Sequence, residues 1–241
     1  SLEYIKEKKY KYSYSKNNQG VCVAFNEAAK LTNNNYIVLA HDDMYFCPGW
    51  DTAFYNEIKK ISSKDFFLSG TMVQNFGTYI KLDCGKTYEN FNEEKLLKEL
   101  PKIKFDDFQG THWQPSLIPL QTWNKVGGFS LEFSPGIGSD PDFNMKLWKM
   151  GVRMFKGLGN CRVYHFSSVT LRRKVWNNGA KTFLLKWGIT IKFFRKYYLR
   201  TDTTFDGELK EPNKTFSYYI NLSKCKCSFA YYFFLKKLKF Y

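Results

Sequence analysis

The sequence predicts an α/β domain, and three observations carry that expectation. A helix-spaced stretch, "GVCVAFNEAAKL" from Gly20 to Leu31, leads directly into the short apolar run "YIVLA". That run ends in two adjacent carboxylates, Asp42 and Asp43, followed by a Pro-Gly turn at Pro48 and Gly49. Helix-like and strand-like segments then alternate as far as "CRVYHF", which is the pattern of helices packed on a sheet.

In order, "YKYSYS" alternates like a strand, and the helix after it is expected to bury Val21, Ala24, Phe25, Ala28 and Leu31. "YIVLA" reads as a fully buried strand, so the three together predict a βαβ unit with parallel pairing. A ligand site is then expected beyond the carboxyl ends of the strands, where Asp42 and Asp43 stand. "WDTAFYNEIKKI" reads as a helix, "DFFLSG" as a strand and "NEEKLLKEL" as a short helix before Pro101. "PSLIPLQTWNKVGGF" predicts a strand, one helical turn and a Gly-Gly stop. "SDPDFNMKLWKMG" predicts a helix capped by Ser139 or Asp140 and stopped at Gly151. "VRMFKG" and "CRVYHF" are expected to be two strands, and Asp106-Asp107 a loop.

With 241 residues, 44% of them apolar, the chain is long enough for a substantial core. Its net charge of +15 favours anionic partners: phosphate groups, nucleic acid or an acidic membrane surface. Leu171 to Arg200 contains no acid, and Phe183, Trp187, Phe194 and Tyr198 are spaced to share one face, as in an interfacial helix. No run approaches the roughly 20 apolar residues of a membrane span. The six cysteines form no recognisable framework, which points to a reducing compartment.

Three features would converge in such a sheet: Asp42-Asp43 at a strand end, Asp140 opening a helix after a Gly-rich loop, and His165 ending a late strand. Each has a plainer reading, as a turn, an N-cap and a core histidine respectively.

Their order resembles a known family. "NNQGVCVAFNEAAKLTNNNYIVLAHDDMYFCPGWD", "WNKVGGFS", "SDPDFNMKLWKMGVRMF" and "VYHFSS" are together similar to the inverting, nucleotide-sugar-dependent glycosyltransferases of family 2. The resemblance covers roughly residues 10 to 170 and implies a GT-A (Rossmann-like), mixed and mainly parallel sheet flanked by helices. It implies a catalytic domain over 1–170 and a basic, aromatic helical extension over 171–241. Asn18, Gly20, Asn26 and Asp42 take the donor-binding positions, Asp43 and His165 the metal positions, and Asp140 that of the general base. Trp113 and Asp142 fall at acceptor-facing positions. The cofactor implied is a divalent cation, manganese in preference to magnesium because imidazole is a softer ligand. The substrates implied are a nucleotide sugar, a UDP-sugar first, and a glycan or lipid-linked acceptor.

Departures from the family pattern sharpen these expectations. Ser139 replaces the acid before the base, and Lys146 stands where many members carry Arg. The Q-x-x-R-W element of processive synthases is missing, so transfer of a single sugar is expected. The family's opening strands and their acidic loop have no counterpart before "YKYSYS" and are expected from a longer chain or a partner. Arg172, Arg173 and Lys174 are candidates for a phosphate. The expected setting is cytoplasmic, peripheral on an anionic inner membrane face, in surface polysaccharide synthesis. Two alternatives are a non-catalytic scaffold or glycan-binding module of the same fold and, less favoured, a basic nucleic-acid-binding protein.

Overall fold

The computed structural model describes residues 2–75, 77, 79–110, 114–166 and 177–238. Among them, seven strands form one sheet: β1 (Tyr36–Leu39), β2 (Met44–Phe46), β3 (Phe66–Gln74), β4 (Ile80–Lys81), β5 (Phe108–Gln109), β6 (Ser116–Pro119) and β7 (Met154–His165). The main order is β1-β6-β3-β7-β2, with β4 on β3 and β5 on β7. The helices are α1 (Leu2–Glu7), α2 (Val21–Ala29), α3 (Trp50–Ile58), α4 (Glu93–Glu99), α5 (Leu120–Val126), α6 (Ser139–Lys149), α7 (Gly179–Trp187), α8 (Ile191–Phe194), which runs on into a π-helical turn (Arg195–Leu199), and α9 (Phe216–Leu238).

The sheet is mixed, as expected of an α/β fold, but parallel pairing is not its majority. β3 runs parallel to β7 and β4, whereas β6 is antiparallel to both β1 and β3, and β2 and β5 are antiparallel to β7. What remains parallel is the direction of β1, β3 and β7, since β6 reverses twice between β1 and β3. The carboxyl ends of these three strands therefore reach one side of the sheet, where Asp43, Gln74 and His165 stand.

Alternation along β3 divides the core. Phe66 and Leu68 join Phe54, Leu117 and Leu158 under α3, while Phe67 packs with Phe143 and Phe155 under α6. Phe67, Phe143 and Phe155 are each at most 2% exposed, and each such side chain contributes about 1.5–3 kcal/mol on burial. A third cluster, Val73, Ile80, Leu96 and Tyr164, lies beneath α4.

Several expectations change. Residues 10–15 form no strand, and Tyr10, Tyr12 and Tyr14 are exposed, so the predicted βαβ unit lacks its first strand. β1 is an edge strand paired only with β6, and Tyr36 and Val38 face solvent. In α2 the buried side chain is Cys22, with Val21, Phe25 and Ala29 packed beside it; Ala24 and Ala28 point outward. "VRMFKG" and "CRVYHF" are one twelve-residue strand. The glycines that read as a break instead make room: a Cβ on Gly157 would stand 2.2 Å from the Phe108 ring.

Residues 179–200 are not an interfacial helix. Gly188 turns the chain in the left-handed region, and Phe183, Phe193 and Phe194 enter the same core cluster as Phe143. No helix of the described residues is long and apolar enough to cross a membrane. All six cysteines are free, five of them buried. Asp107 does lie in a loop, where its carboxylate pairs with the buried Lys156 and accepts from the Gly159 N–H.

Candidate functional site

The strand register brings Asp43 and His165 together. β2 pairs with β7 so that Met44 lies opposite His165, and the Phe166 N–H donates to the Asp43 carbonyl at 3.0 Å. Asp43, immediately before β2, is thereby fixed beside the end of β7, with His165 Nε2 3.3 Å from Asp43 Oδ2. On the far side of the ring, Nδ1 meets Gln74 Oε1 at 3.2 Å. An amide oxygen only accepts, so this contact makes Nδ1 the protonated nitrogen and turns the Nε2 lone pair toward the carboxylate. The contact is an ion pair when the imidazole is protonated; with the imidazole neutral, Nε2 and Oδ2 together could hold a divalent cation. Two cis ligands of an octahedral divalent ion with bonds of ~2.1 Å lie about 3 Å apart, so the pair fits such an ion. Among the described residues no group of three or more His, Cys, Asp or Glu side chains comes together as a metal site.

Asp140 lies in the first turn of α6, whose cap is Gly138 and neither Ser139 nor Asp140. Gly138 has φ +85°, and a Cβ there would stand 3.0 Å from the Gly179 backbone, so the tight loop before α6 requires glycine. Ser139 turns inward, its hydroxyl donating to the Gly136 carbonyl at 2.6 Å. Asp140 retains partial solvent access and accepts at Oδ1 from Gln114 Nε2 at 2.9 Å. The orientation of that amide follows from the carboxylate, because reversing it would set oxygen against oxygen. Gln114 Oε1 then accepts from His41 Nε2 at 3.2 Å, which makes a chain from His41 through Gln114 to Asp140. Burial pushes the Asp140 pKa above the usual carboxylate range, while the Gln114 bond and the nearby His41 oppose the rise.

His41 and Asp43 are two residues apart, so their Cα atoms lie within about 7.6 Å. One three-residue segment thus links the His41–Gln114–Asp140 chain to the Asp43–His165 pair, with Asp42 exposed between them.

Other expected residues stand elsewhere. Asn26 is engaged within the fold. Its amide donates to the Phe129 carbonyl at 2.9 Å and accepts from the Phe129 N–H at 2.8 Å, clipping α2 to the "VGGF" loop. Asn18 accepts from the Gly20 N–H at 2.9 Å and shapes the turn before α2, with Gly20 as its cap. Asp142 is fully enclosed, so no carboxylate oxygen is open to an acceptor. Ser130, Trp187 and Lys186 reach it at 2.7, 2.8 and 2.9 Å, and this network ties α6 to α7. Lys146 donates to the Gly128 carbonyl, and burial lowers its pKa. Trp113, His112, Arg172, Arg173 and Lys174 lie outside the described residues.

Three residues enter the site that sequence reasoning missed: His41, Gln74 and Gln114. His41 adjoins the acidic pair and Gln114 adjoins a cluster of aromatics, so each had a local signal; Gln74 at the end of β3 had none.

The family model described as Glycosyl transferase family 2 matches residues 1–113, a stretch that contains Asp42 and Asp43 and stops before Gln114, Asp140 and His165. No curated protein matches the chain. The chemistry of the family is glycosyl transfer from a nucleotide-sugar donor to an acceptor, generally with a divalent cation. The match covers 113 of the 241 residues, and the mixed α/β sheet with its flanking helices is consistent with the fold of that family.

Proposed function

We propose that this protein transfers a single sugar, with inversion, from a UDP-sugar or related nucleotide sugar to a hydroxyl of a glycan or lipid-linked acceptor. The observation that carries the proposal is that residues 41–43 connect two clusters, the Asp43–His165 carboxylate–imidazole pair and, through His41 and Gln114, the partly desolvated Asp140 carboxylate.

Asp140 is the general base. As the acceptor oxygen forms its bond to the anomeric carbon, Asp140 takes the hydroxyl proton, and the bond from that carbon to the diphosphate breaks with its electron pair leaving on the phosphate oxygen. Burial that raises the pKa of Asp140 makes it a stronger proton acceptor, and Gln114 keeps Oδ1 in place while the proton moves. Asp43 and His165 would hold the divalent ion, and Asp42, exposed beside them, would face the donor ribose as the sequence resemblance implies. When bound, the ion offsets the negative charge that develops on the leaving diphosphate. Manganese is favoured over magnesium because one of the two protein donors is an imidazole. The sequence resemblance supports a role in surface polysaccharide synthesis in the cytoplasm, with residues 1–170 carrying the chemistry and 171–241 as an extension, in which α7 is tied to α6 through Asp142 and α9 is the outer helix.

The test is manganese-dependent hydrolysis or transfer from UDP-sugars by the full-length protein, compared with Asp43→Ala and Asp140→Asn. Donor binding of undiminished affinity without any divalent ion would overturn the role of Asp43, and turnover retained in Asp140→Asn would overturn that of Asp140.

A further inference from the structure

The last helix has two apolar faces and only one of them is covered. α9 spans 23 residues, about 34 Å. Its inner face packs on α7 and α8 through Tyr218 and Cys225, both at most 6% exposed, with Leu222 beside them. The Tyr218 ring lies 5.1 Å from that of Phe193, and Cys225 Sγ lies 3.6 Å from the Thr190 hydroxyl. Half a turn away, Phe216, Ile220, Cys227, Tyr231 and Phe234 fall within about 60° of one another at ~100° per residue. Phe216 is 82% exposed, and Tyr231 and Phe234 are each 61% exposed. An apolar stripe of this length along a whole helix is unusual on a soluble surface and marks a contact face.

Charge identifies what the face contacts. From Pro212 to Tyr241 the sequence has six lysines and no Asp or Glu. Lys224 and Lys226 are exposed and lie on opposite flanks of the stripe, roughly 60° and 100° from its centre. An apolar aromatic centre with basic flanks complements an anionic bilayer, where rings enter the headgroup boundary and lysine stems reach outward to the phosphates. Each lysine near such a surface adds to the attraction. A second copy would present the same uncompensated lysines and repel. The helix cannot cross the bilayer, because among the described residues none is long and apolar enough to do so.

We infer that the outer face of α9 docks this protein on anionic lipid, with the helix lying in the membrane plane. The inference replaces residues 179–200 as the membrane element and stands independently of the catalytic reading, because it concerns a surface remote in sequence from Asp43 and Asp140.

The experiment is co-sedimentation of the full chain with phosphatidylcholine vesicles with and without 30% phosphatidylglycerol. Wild-type protein is expected to bind the anionic vesicles at least tenfold more tightly than the neutral ones. The Phe216→Ser, Tyr231→Ser, Phe234→Ser triple variant is expected to lose at least tenfold in anionic binding with an unchanged melting temperature. Ile220→Trp should show blue-shifted fluorescence on anionic vesicles alone. Equal binding to both vesicles, or a folded triple variant that binds like wild type, would overturn the inference. So would a concentration-dependent dimer abolished by the triple variant with no vesicle binding, which would assign the face to a second copy.

Discussion

Gln114 donates from Nε2 to Asp140 Oδ1 at 2.9 Å and accepts from His41 at its other end, so a neutral amide both orients the proposed base and favours its ionised form. Burial pulls the other way and raises the pKa of Asp140. The base works only when ionised, so activity is expected to rise with pH through that raised pKa. Gln114→Ala removes the opposing bond, and the acid limb of the pH–rate profile should move to higher pH while the plateau falls less. A profile displaced downward at every pH without moving along the axis would mean that Gln114 serves packing alone.

Asp140 also makes a prediction about stability. Its folded pKa lies above its unfolded value, so the folded state binds the proton more tightly. Below the unfolded pKa both states are protonated and the group contributes nothing; as pH rises through the folded pKa, ionising Asp140 costs stability that remains lost above it. Asp140→Asn removes that cost. The variant is expected to lose about 10²–10⁴-fold in turnover. Its melting temperature near neutral pH should equal or exceed that of the wild type, and the difference should shrink as the pH is lowered. A variant that is both inactive and less stable would indicate a structural carboxylate.

Much of the fold was legible because its signals are local. α3 follows from apolar spacing after the Pro48-Gly49 turn, α5 and α6 from apolar spacing and the glycines that stop them, and β3 from a continuous apolar run. Misreadings arose where the deciding contact is distant in sequence. β1 looked buried because its composition is apolar, yet only one of its faces is covered: Ile37 and Leu39 pack on the core, whereas Tyr36 and Val38 on the other face are exposed. Asn26 resembles a ligand residue in a motif, but both ends of its amide are taken by Phe129, 103 positions away. Asp43 and His165 were each visible as candidates. What joins them, the antiparallel register of β2 on β7, is a pairing that periodicity does not specify. Gln74 carried no signal because an amide at a strand end has none until the histidine it orients is known.

Gln74 therefore offers a test of the cation site that leaves both ligands in place. Partners that orient a metal-binding histidine typically account for 10–100-fold in metal affinity. Gln74→Ala is expected to weaken manganese binding by about that factor, measured by calorimetry or by electron paramagnetic resonance of free manganese. Asp43→Ala should abolish binding altogether. Gln74→Glu, which retains an acceptor at Nδ1, should restore most of the affinity. Equal affinity in wild type and Gln74→Ala would remove the amide from the site.

Asp142 separates support from chemistry. Its carboxylate is fully enclosed and holds Lys186, which also pairs with Glu132 at 2.6 Å; desolvation depresses the Lys186 pKa, but the hydrogen bonds it donates to Glu132 and Asp142 outweigh it and leave the pKa raised. Removing one member of a buried pair leaves the other uncompensated and costs about 3–5 kcal/mol. Lys186 is about a quarter exposed, so water screens part of that loss and the lower end of the range applies to Asp142→Ala. For a chain of this size, ~3 kcal/mol lowers Tm by roughly 6–12 °C. Below the transition, the ratio of rates on different acceptors should be unchanged, because the side chain faces Ser130, Trp187 and Lys186 and no open cleft. Thermal unfolding of Asp142→Ala together with an acceptor panel at 20 °C decides the point: altered acceptor preference without loss of Tm would return Asp142 to the acceptor site.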